Sequence, residues 1–264
     1  MEQLQEIAQR VLNLIRANSS GMEETEAKRY ECEICKDEEW IYDEETNSVR
    51  PCKCREVKIY KRILEASGIT QAFLSRNFNN FKPVNPVAAN AKAMAMDYVK
   101  KFDNIKSLRN NSIAFLGQVG AGKTHLSIAI ANELMKRNIG VRYMQYREDI
   151  TRIKQTLMDE ENYGREMNKY KNATVLLIDD LFKNATNKNR AGYETLSDAD
   201  KRIMFEIINY RYFKNAPIIV SSEYFAEDIL SFDEGIGSRI LEMCEGHIIE
   251  FHGQELNYRL HKAL

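Results

Sequence analysis

A short stretch constrains the fold of this chain more than any other part of its sequence. Residues 112–116 form an apolar run, and a glycine-rich turn and a Lys-Thr pair follow directly. The segment from Gly117 to Thr124 matches the phosphate-binding pattern G-x-x-x-x-G-K-[ST]. Apolar residues then recur at every fourth position, at Leu126, Ile130 and Leu134, which is typical of a helix. The sequence therefore predicts a buried strand, a phosphate-binding loop and a helix.

The residue types of this loop explain how it would hold a nucleoside triphosphate. Glycines let the backbone turn sharply and direct its N–H groups inward, and the helix that follows points its positive dipole end at the same phosphates. Lys123 can reach the β- and γ-phosphates, and the Thr124 hydroxyl can reach Mg²⁺. The alternative is a chance glycine-rich turn, which the flanking strand and helix argue against. The predicted nucleotide-binding residues are Gly117, Gln118, Val119, Gly120, Ala121, Gly122, Lys123, Thr124 and His125.

A second acidic site follows an apolar run farther along the chain. Residues 175–178 are apolar and lead into Asp179 and Asp180, which is the Walker B pattern of a buried strand that ends in carboxylates. The pattern predicts that Asp179 holds Mg²⁺ together with Thr124, because the metal prefers oxygen ligands. Asp180 could orient the attacking water. An Asp-Asp pair can also form an ordinary turn, but its place downstream of a phosphate-binding loop favours the functional interpretation.

The order of elements predicts the fold class. From residue 112 onward, apolar runs alternate with segments of helical spacing, which indicates an α/β domain with a parallel sheet and helices on both faces. Residues 198–213 have helical spacing, whereas the polar, glycine-containing residues 183–197 are predicted to form a loop. The predicted strands are 112–116, 141–146, 174–179, 217–223 and 247–251.

Composition limits the function classes. The chain has 264 residues, of which 44% are hydrophobic and 29% charged, as in an ordinary soluble protein. No run approaches the length of a membrane span and no signal peptide is recognisable, so a cytoplasmic location is the expectation. The net charge is −1, so any nucleic-acid contact must come from a local basic surface, and DNA binding should be weak and sensitive to salt.

Four of the five cysteines have metal-ligand spacing. The pattern is C-x2-C, sixteen residues, then C-x-C. Four thiolates from two short knuckles suit a tetrahedral, structural Zn²⁺ with no open coordination position. A redox pair or unliganded thiols are the alternatives. The predicted zinc ligands are Cys32, Cys35, Cys52 and Cys54.

The sequence also predicts that the chain is divided into three consecutive regions. Residues 1–70 would hold an N-terminal helix over 1–18 and the four-cysteine zinc module, a part that would bind a partner. The alternative for the helix is that it packs on its own domain. Residues 71–86 contain Pro83 and Pro86 and would form a linker. Residues 87–264 would form the nucleotide-binding domain.

The ordered set of motifs resembles a known family. The phosphate-binding loop, the Asp-Asp pair, the polar strand end 221–223 and Gly237-Ser238-Arg239 follow one another as in AAA+ ATPases. The cysteine module, the loop 118–126 and the segment 208–212 narrow the resemblance to replicative helicase loaders of the DnaC/DnaI type and to the related IstB transposition ATPases. This resemblance covers about residues 30–260.

The resemblance implies further features. The sheet would have five parallel strands in the order 5-1-4-3-2, and Arg239 would be an arginine finger that completes the site of a neighbouring subunit. Ser222 or Glu223 would sense the γ-phosphate, where the family commonly has Asn. The N-terminal module would grip the hexameric replicative helicase, and the self-associated ATPase ring would place it on single-stranded DNA. The predicted DNA contacts are Tyr143, Tyr146 and Arg147, and an ordinary strand-to-helix surface is the alternative for them.

Several functions remain open at this stage. The leading hypothesis is a helicase loader with slow ATPase activity that DNA or a partner stimulates, using ATP, Mg²⁺ and Zn²⁺. A transposition helper of the IstB type would have a transposase as partner. A small-molecule P-loop kinase would need a mobile lid over the phosphates, and Asp180 and Arg239 argue against it. A nucleotide-binding switch without hydrolysis is disfavoured by four intact residues, Lys123, Thr124, Asp179 and Asp180.

Overall fold

The chain divides into two units along its length. The computed structural model describes residues 30–43, 46–70, 73, 75–188 and 194–261. The first unit is Met1–Lys61 and the second is Arg62–Leu264, so the predicted boundary at residue 70 falls within the second unit. The predicted helix over 1–18 lies outside the described residues. Among these residues, no helix combines the length and the apolar character that crossing a bilayer requires.

The described part of the first unit is built around an antiparallel hairpin. Strand β1 (Trp40–Asp43) pairs with β2 (Ser48–Pro51), and both lie between the two cysteine knuckles in the sequence. Helix α1 (Cys54–Ser67) begins at the last cysteine of the second knuckle. The Asp37 carboxylate accepts hydrogen bonds from the backbone N–H groups of Glu31 and Cys32 and pairs with Lys58 at 2.8 Å. These contacts tie the first knuckle to α1.

A five-stranded parallel sheet forms the centre of the second unit. Its order is β4-β5-β8-β3-β9, which is the predicted 5-1-4-3-2 order read from the opposite edge, so that prediction is confirmed. Every residue of β3, β5 and β8 is buried, as expected of parallel strands covered by helices on both faces. The strands of this unit are β3 (Ile113–Gly117), β4 (Val141–Gln145), β5 (Val175–Asp179), β6 (Thr186–Lys188), β7 (Glu194–Leu196), β8 (Ile218–Ser221) and β9 (Ile248–Phe251).

The helices of the second unit follow sequence signals. The Asn85 side chain accepts a hydrogen bond from Ala88 N, and Pro86 occupies the first turn, so the helix that precedes β3 begins at Pro86. The helices are α2 (Pro86–Ile105), α3 (Lys123–Lys136), α4 (Tyr146–Gln155), α5 (Glu160–Lys171), α6 (Asp198–Lys214), α7 (Ala226–Phe232), α8 (Glu234–Met243) and α9 (Tyr258–His261), with a 3-10 turn at Gln254–Leu256.

The segment predicted as a loop over 183–197 contains a short hairpin. Strands β6 and β7 pair antiparallel, with Thr186 opposite Leu196. Leu196 is buried in the main core, and its burial fixes the return strand against the domain. Polar side chains dominate the segment and hide this structure from a search for apolar alternation, so the loop prediction is wrong here.

The segment predicted as a linker over 71–86 packs within the second unit where it is described. The Phe81 ring is buried and meets the His125 ring edge-on at 5.2 Å between centroids. The Asn132 side chain donates a hydrogen bond to the Arg76 carbonyl at 2.8 Å. Both partners lie on α3, so this segment forms a wall beside the phosphate-binding loop.

Candidate nucleotide-binding site

A cavity of about 410 Å³ opens where β3 and β5 end. The carboxyl edge of a parallel sheet is the usual ligand position in such folds, because loops and helix N-termini meet there. Five parts of the chain form the cavity: the wall segment that leads into α2, the loop between β3 and α3, the turn after β5, the end of β8 and residues 256–259. Its lining includes Arg76, Asn80, Phe81, Ala88, Val119, Gly120, Ala121, Gly122, Lys123, Thr124, His125, Asp180, Lys183, Glu223, Leu256, Tyr258 and Arg259.

Two glycines of the loop are required by their surroundings. Gly122 has φ of 91°, and a Cβ there would lie 2.7 Å from a ring carbon of Phe81. Gly120 has φ of 77°, and a Cβ there would lie 2.0 Å from the Asn257 side-chain oxygen. The Gly120 carbonyl also accepts a hydrogen bond from Tyr258 N. The loop is therefore in close contact with Phe81 on one side and with Asn257 and Tyr258 on the other. The sequence analysis identified neither of these contacts.

Lys123 lies inside the loop. Its Nζ donates hydrogen bonds of 2.6 Å to the carbonyls of Gly117 and Gln118, and the residue is 5% exposed. Burial lowers its pKa to about 8, against the opposing effect of nearby carboxylates. A triphosphate would stabilise the charged form in the same way as those carboxylates, because it brings negative charge to the ammonium group.

Asp179 accepts hydrogen bonds from three side chains, more than the other acids of the site among the described residues. Its carboxylate is buried and accepts hydrogen bonds from Thr124 Oγ1 at 2.8 Å, Ser221 Oγ at 2.5 Å and the Tyr143 hydroxyl at 3.0 Å. Burial raises its pKa, and the three hydroxyl groups act in the opposite direction. A hydroxyl and a carboxylate at the mouth of a phosphate loop are oxygen donors of the kind that Mg²⁺ takes together with water and phosphate. The donor set therefore fits this metal.

Asp180 and Glu223 face the cavity and share one cation. Lys183 Nζ lies 3.0 Å from an Asp180 oxygen and 2.6 Å from a Glu223 oxygen. Asp180 has φ of 54°, so the chain turns sharply after β5 and brings Lys183 back over the acids. Sequence reasoning missed Lys183, because a lysine in a polar segment carries no spacing signal.

The polar side chains at the end of β8 differ in position from the predicted γ-phosphate sensors. Ser222 is buried and donates its hydroxyl to the Leu181 carbonyl, and it does not line the cavity. Ser221, which was not singled out, donates to Asp179 and accepts from the Asp180 backbone N–H. Of the two predicted γ-phosphate sensors, the structure brings only Glu223 to the cavity.

Arg239 lies away from its own cavity. It sits in α8, where its guanidinium donates to the Gly235 carbonyl at 2.6 Å and lies over the rings of Phe205 and Tyr212, at 5.2 and 5.4 Å from their centroids. It is not among the residues that line the nucleotide cavity. Its action on a neighbouring subunit stays a prediction.

The three predicted DNA contacts have different environments. Tyr143 is buried and donates to Asp179, and Tyr146 is buried and donates to Asp200 at 2.8 Å. Burial raises the pKa of both phenols well above the usual value. Neither ring face is open to a stacking base, which corrects the prediction for both tyrosines. Arg147 is exposed and remains a predicted contact.

The four cysteine sulfurs of the first unit converge. All four Sγ atoms lie within 4.8 Å of one another, with Cys32 3.8 Å from Cys52 and Cys35 3.4 Å from Cys54. Four sulfurs about 2.3 Å from a tetrahedral Zn²⁺ are about 3.8 Å apart, so the cluster fits this ion. Backbone N–H groups lower the pKa of Cys32 to about 7, whereas burial and the other sulfurs raise that of Cys54. A bound cation favours the thiolate form at every sulfur.

Loss of one sulfur should release the metal. We expect about one Zn²⁺ per chain in the purified protein. Cys52→Ser should lose it and unfold the first unit, since small modules depend on their metal for folding. Nucleotide binding should persist, because the cavity belongs to the second unit. Elemental analysis with circular dichroism checks this, and Cys244→Ala, outside the cluster, should keep the metal. A metal-free wild type contradicts the assignment.

Comparisons with known proteins agree with this geometry. The family model described as IstB-like ATP binding protein matches residues 74–263. The phage-like element PBSX protein XkdC of Bacillus subtilis (strain 168) is 39% identical over 245 residues, which are 90% of this chain and 89% of that protein. The replicative helicase loader DnaC of Escherichia coli (strain K12) is 26% identical over 184 residues, which are 69% of this chain and 68% of DnaC.

A solved structure gives the same result. A crystal structure of the DnaC helicase loader matches with a TM-score of 0.58 and 25% identity, over 69% of this chain and 100% of that one. Residues 74–263, which the family model matches, include the sheet and the phosphate-binding loop. The chain belongs to the IstB-like ATP binding protein family, and it is a DnaC-type AAA+ ATPase by fold.

Proposed function

We propose that this protein loads a hexameric replicative helicase onto single-stranded DNA and hydrolyses ATP at sites between its own subunits. The observation that carries the proposal is the convergence of Lys123, Thr124 and Asp180 at one cavity, with Asp179 hydrogen-bonded to Thr124, in a chain similar to a replicative helicase loader. The fold alone supports many P-loop activities. The similarity to DnaC supports this one.

The binding step uses the phosphate loop. Lys123 exchanges its contacts with two backbone carbonyls for the β- and γ-phosphate oxygens, and the loop N–H groups take the remaining oxygens. Bound Mg²⁺ would supply neutralisation of the phosphate charge. Thr124 and Asp179 are the residues that would hold it, and Phe81 and Tyr258 enclose the rest of the nucleotide.

The hydrolysis step uses the acids at the γ-phosphate end. Asp180 orients the attacking water and accepts its proton as the bond from the water oxygen to the γ-phosphorus forms and the bond from that phosphorus to the ADP oxygen breaks. Lys183 keeps the two carboxylates Asp180 and Glu223 compatible with a nearby triphosphate, because it offsets their charge. The remaining charge of the transition state is stabilised by Arg239 from the next subunit.

The partner and DNA contacts lie outside the cavity. The zinc-containing N-terminal part would grip the helicase, as in the family that the sequence resembles. Single-stranded DNA would be held weakly and in a salt-sensitive manner by local cations such as Arg147, because the net charge of −1 leaves no general attraction for phosphates.

Capture of the helicase tests the proposal. The immobilised full chain is incubated with the replicative helicase of the host, with and without ATP. We expect retention of the helicase that depends on ATP, and loss of that dependence in Lys123→Ala. A protein that binds ATP but retains no helicase under either condition overturns the loader assignment.

The second candidate is a transposition helper ATPase. The matching family model carries the IstB-like description, and this favours it. The same capture experiment with a transposase encoded beside the gene separates the two functions. A chain that retains the transposase and not the helicase has the second function.

A further inference from the structure

The Tyr143 hydroxyl reaches the metal-site acid from the neighbouring strand. In the register of β4 and β5, Tyr143 pairs with Leu177 and Gln145 pairs with Asp179. Tyr143 therefore stands two positions before the partner of Asp179, on the same face of the sheet. Its hydroxyl lies 3.0 Å from Asp179 Oδ2. A phenol next to a buried carboxylate can satisfy it only by donating its proton.

Because of this hydrogen bond, the two oxygens of Asp179 accept from different residues. Oδ1 accepts from the hydroxyls of Thr124 and Ser221, and Oδ2 accepts from Tyr143 alone among the described residues. A carboxylate offers about four acceptor positions. Three are used by the protein, so the Tyr143 bond fixes the rotation of the carboxylate and leaves one position on Oδ2 unused by the described residues.

The tyrosine itself is held in place. Its ring is 6% exposed and lies 5.9 Å from the Phe73 ring, measured between centroids. The Arg76 guanidinium covers Phe73 at 4.4 Å from the ring centroid. A ring enclosed in this way cannot swing toward solvent, so its hydroxyl is a fixed donor.

We propose that Tyr143 is a positioning residue for Mg²⁺, acting through the Asp179 carboxylate. The proposal rests on the proposed function only in that the cavity binds a nucleotide with Mg²⁺, and it requires neither helicase nor DNA. The Tyr143 hydroxyl itself would contact neither the nucleotide nor the metal. Partners that orient metal ligands in this way change metal affinity about 10- to 100-fold when they are removed.

Tyr143→Phe removes only the hydroxyl oxygen and tests the proposal. Binding of a fluorescent ATP analogue is titrated against Mg²⁺ at fixed nucleotide concentration. We expect the half-saturating Mg²⁺ concentration to rise about tenfold. Affinity for the analogue in excess chelator should stay at the wild-type value, because the loop and the cavity walls are unchanged.

Tyr146→Phe is the matched control. Tyr146 is equally buried and donates to Asp200, a carboxylate that also accepts from Lys154 and Ser197, so each tyrosine supplies one of three side-chain donors to a buried acid. Its loss should lower the melting temperature about as much as the loss of the Tyr143 hydroxyl. The Mg²⁺ titration should not move, because Asp200 accepts from Tyr146, Lys154 and Ser197, and none of these belongs to the phosphate-binding loop.

The outcomes separate this proposal from the proposed function. An unchanged Mg²⁺ titration in Tyr143→Phe, or an equal shift in Tyr146→Phe, overturns the positioning role while nucleotide binding stands. A wild type whose nucleotide binding is indifferent to Mg²⁺, or that binds no nucleotide, overturns both. If Tyr143→Phe does not fold, Ser221→Ala provides the second measurement, since it removes a different donor from the same carboxylate. A shift from Ser221→Ala supports control through Asp179, and an unmoved titration overturns it.

Discussion

An Arg239→Ala protein should bind ATP as the wild type does and lose about a thousandfold of the hydrolysis that DNA or a partner stimulates. Binding should persist because Arg239 does not line the cavity of its own chain. Hydrolysis should fall because a guanidinium presents a permanent charge and a planar fork to the γ-phosphate oxygens. A steady-state phosphate-release assay, alongside fluorescent nucleotide binding, gives both quantities.

Mixing two inactive proteins identifies the subunit on which Arg239 acts. Lys123→Ala binds ATP poorly but keeps its arginine, and Arg239→Ala keeps its nucleotide site. A mixture should recover part of the activity, because each protein supplies the group that the other lacks. A mixture that co-assembles and stays inactive contradicts the finger assignment, as does full activity of Arg239→Ala alone.

Arg109→Ala is the control for lost packing. The Arg109 guanidinium lies over the Tyr212 ring at 3.8 Å from its centroid, the same ring that Arg239 approaches. If Arg239→Ala acts only by loosening Tyr212, the two variants should lose activity to a similar extent. We expect Arg109→Ala to retain most of the activity.

The second large effect concerns stability. Arg211 is fully buried in α6, and its guanidinium donates to five backbone carbonyls. Arg211→Met keeps the aliphatic length but removes the donor that these carbonyls share, and of the five the Pro217 carbonyl keeps a hydrogen bond from Leu176 N. We expect the free energy of unfolding to fall by about 3–5 kcal/mol. The accepting carbonyls are those of Tyr170, Lys171, Ala173, Thr174 and Pro217.

Chemical denaturation of the full chain measures this loss. Arg202→Met on the same helix is the control, because Arg202 is exposed and its replacement should change stability by less than about 0.5 kcal/mol. An Arg211→Met protein that unfolds at the wild-type denaturant concentration shows that the carbonyls find other partners. The expected loss would then be wrong.

The central sheet could be predicted because its signals are local. Buried parallel strands are continuous apolar runs. One of these runs ends at Gly117, where the phosphate-binding loop begins, and another ends at Asp179, the predicted Mg²⁺ ligand. The order of the strands came from resemblance and not from periodicity, since a run such as 218–221 contains no information about its neighbours. The structure confirms that order.

Features that depend on long-range packing could not be predicted. Tyr143 lies in the middle of β4 and Tyr146 begins the helix after it. At either place an aromatic side chain can face solvent or a carboxylate, and the positions of Asp179 and Asp200 decide which. Lys183 meets Glu223, forty residues away, because β5 and β8 are adjacent. The sequence around each residue is silent about such partners.

The strand order also has a consequence for folding. Strands β4 and β5 are neighbours in the sheet and close in the chain, so they can pair early. Strand β3, which carries the phosphate loop, pairs only with β8 and β9 in the described sheet, more than a hundred residues later in the sequence. Closing such long loops costs chain entropy before any contact compensates for it. Nucleotide affinity should therefore appear late in refolding, and its recovery marks completion of the native topology.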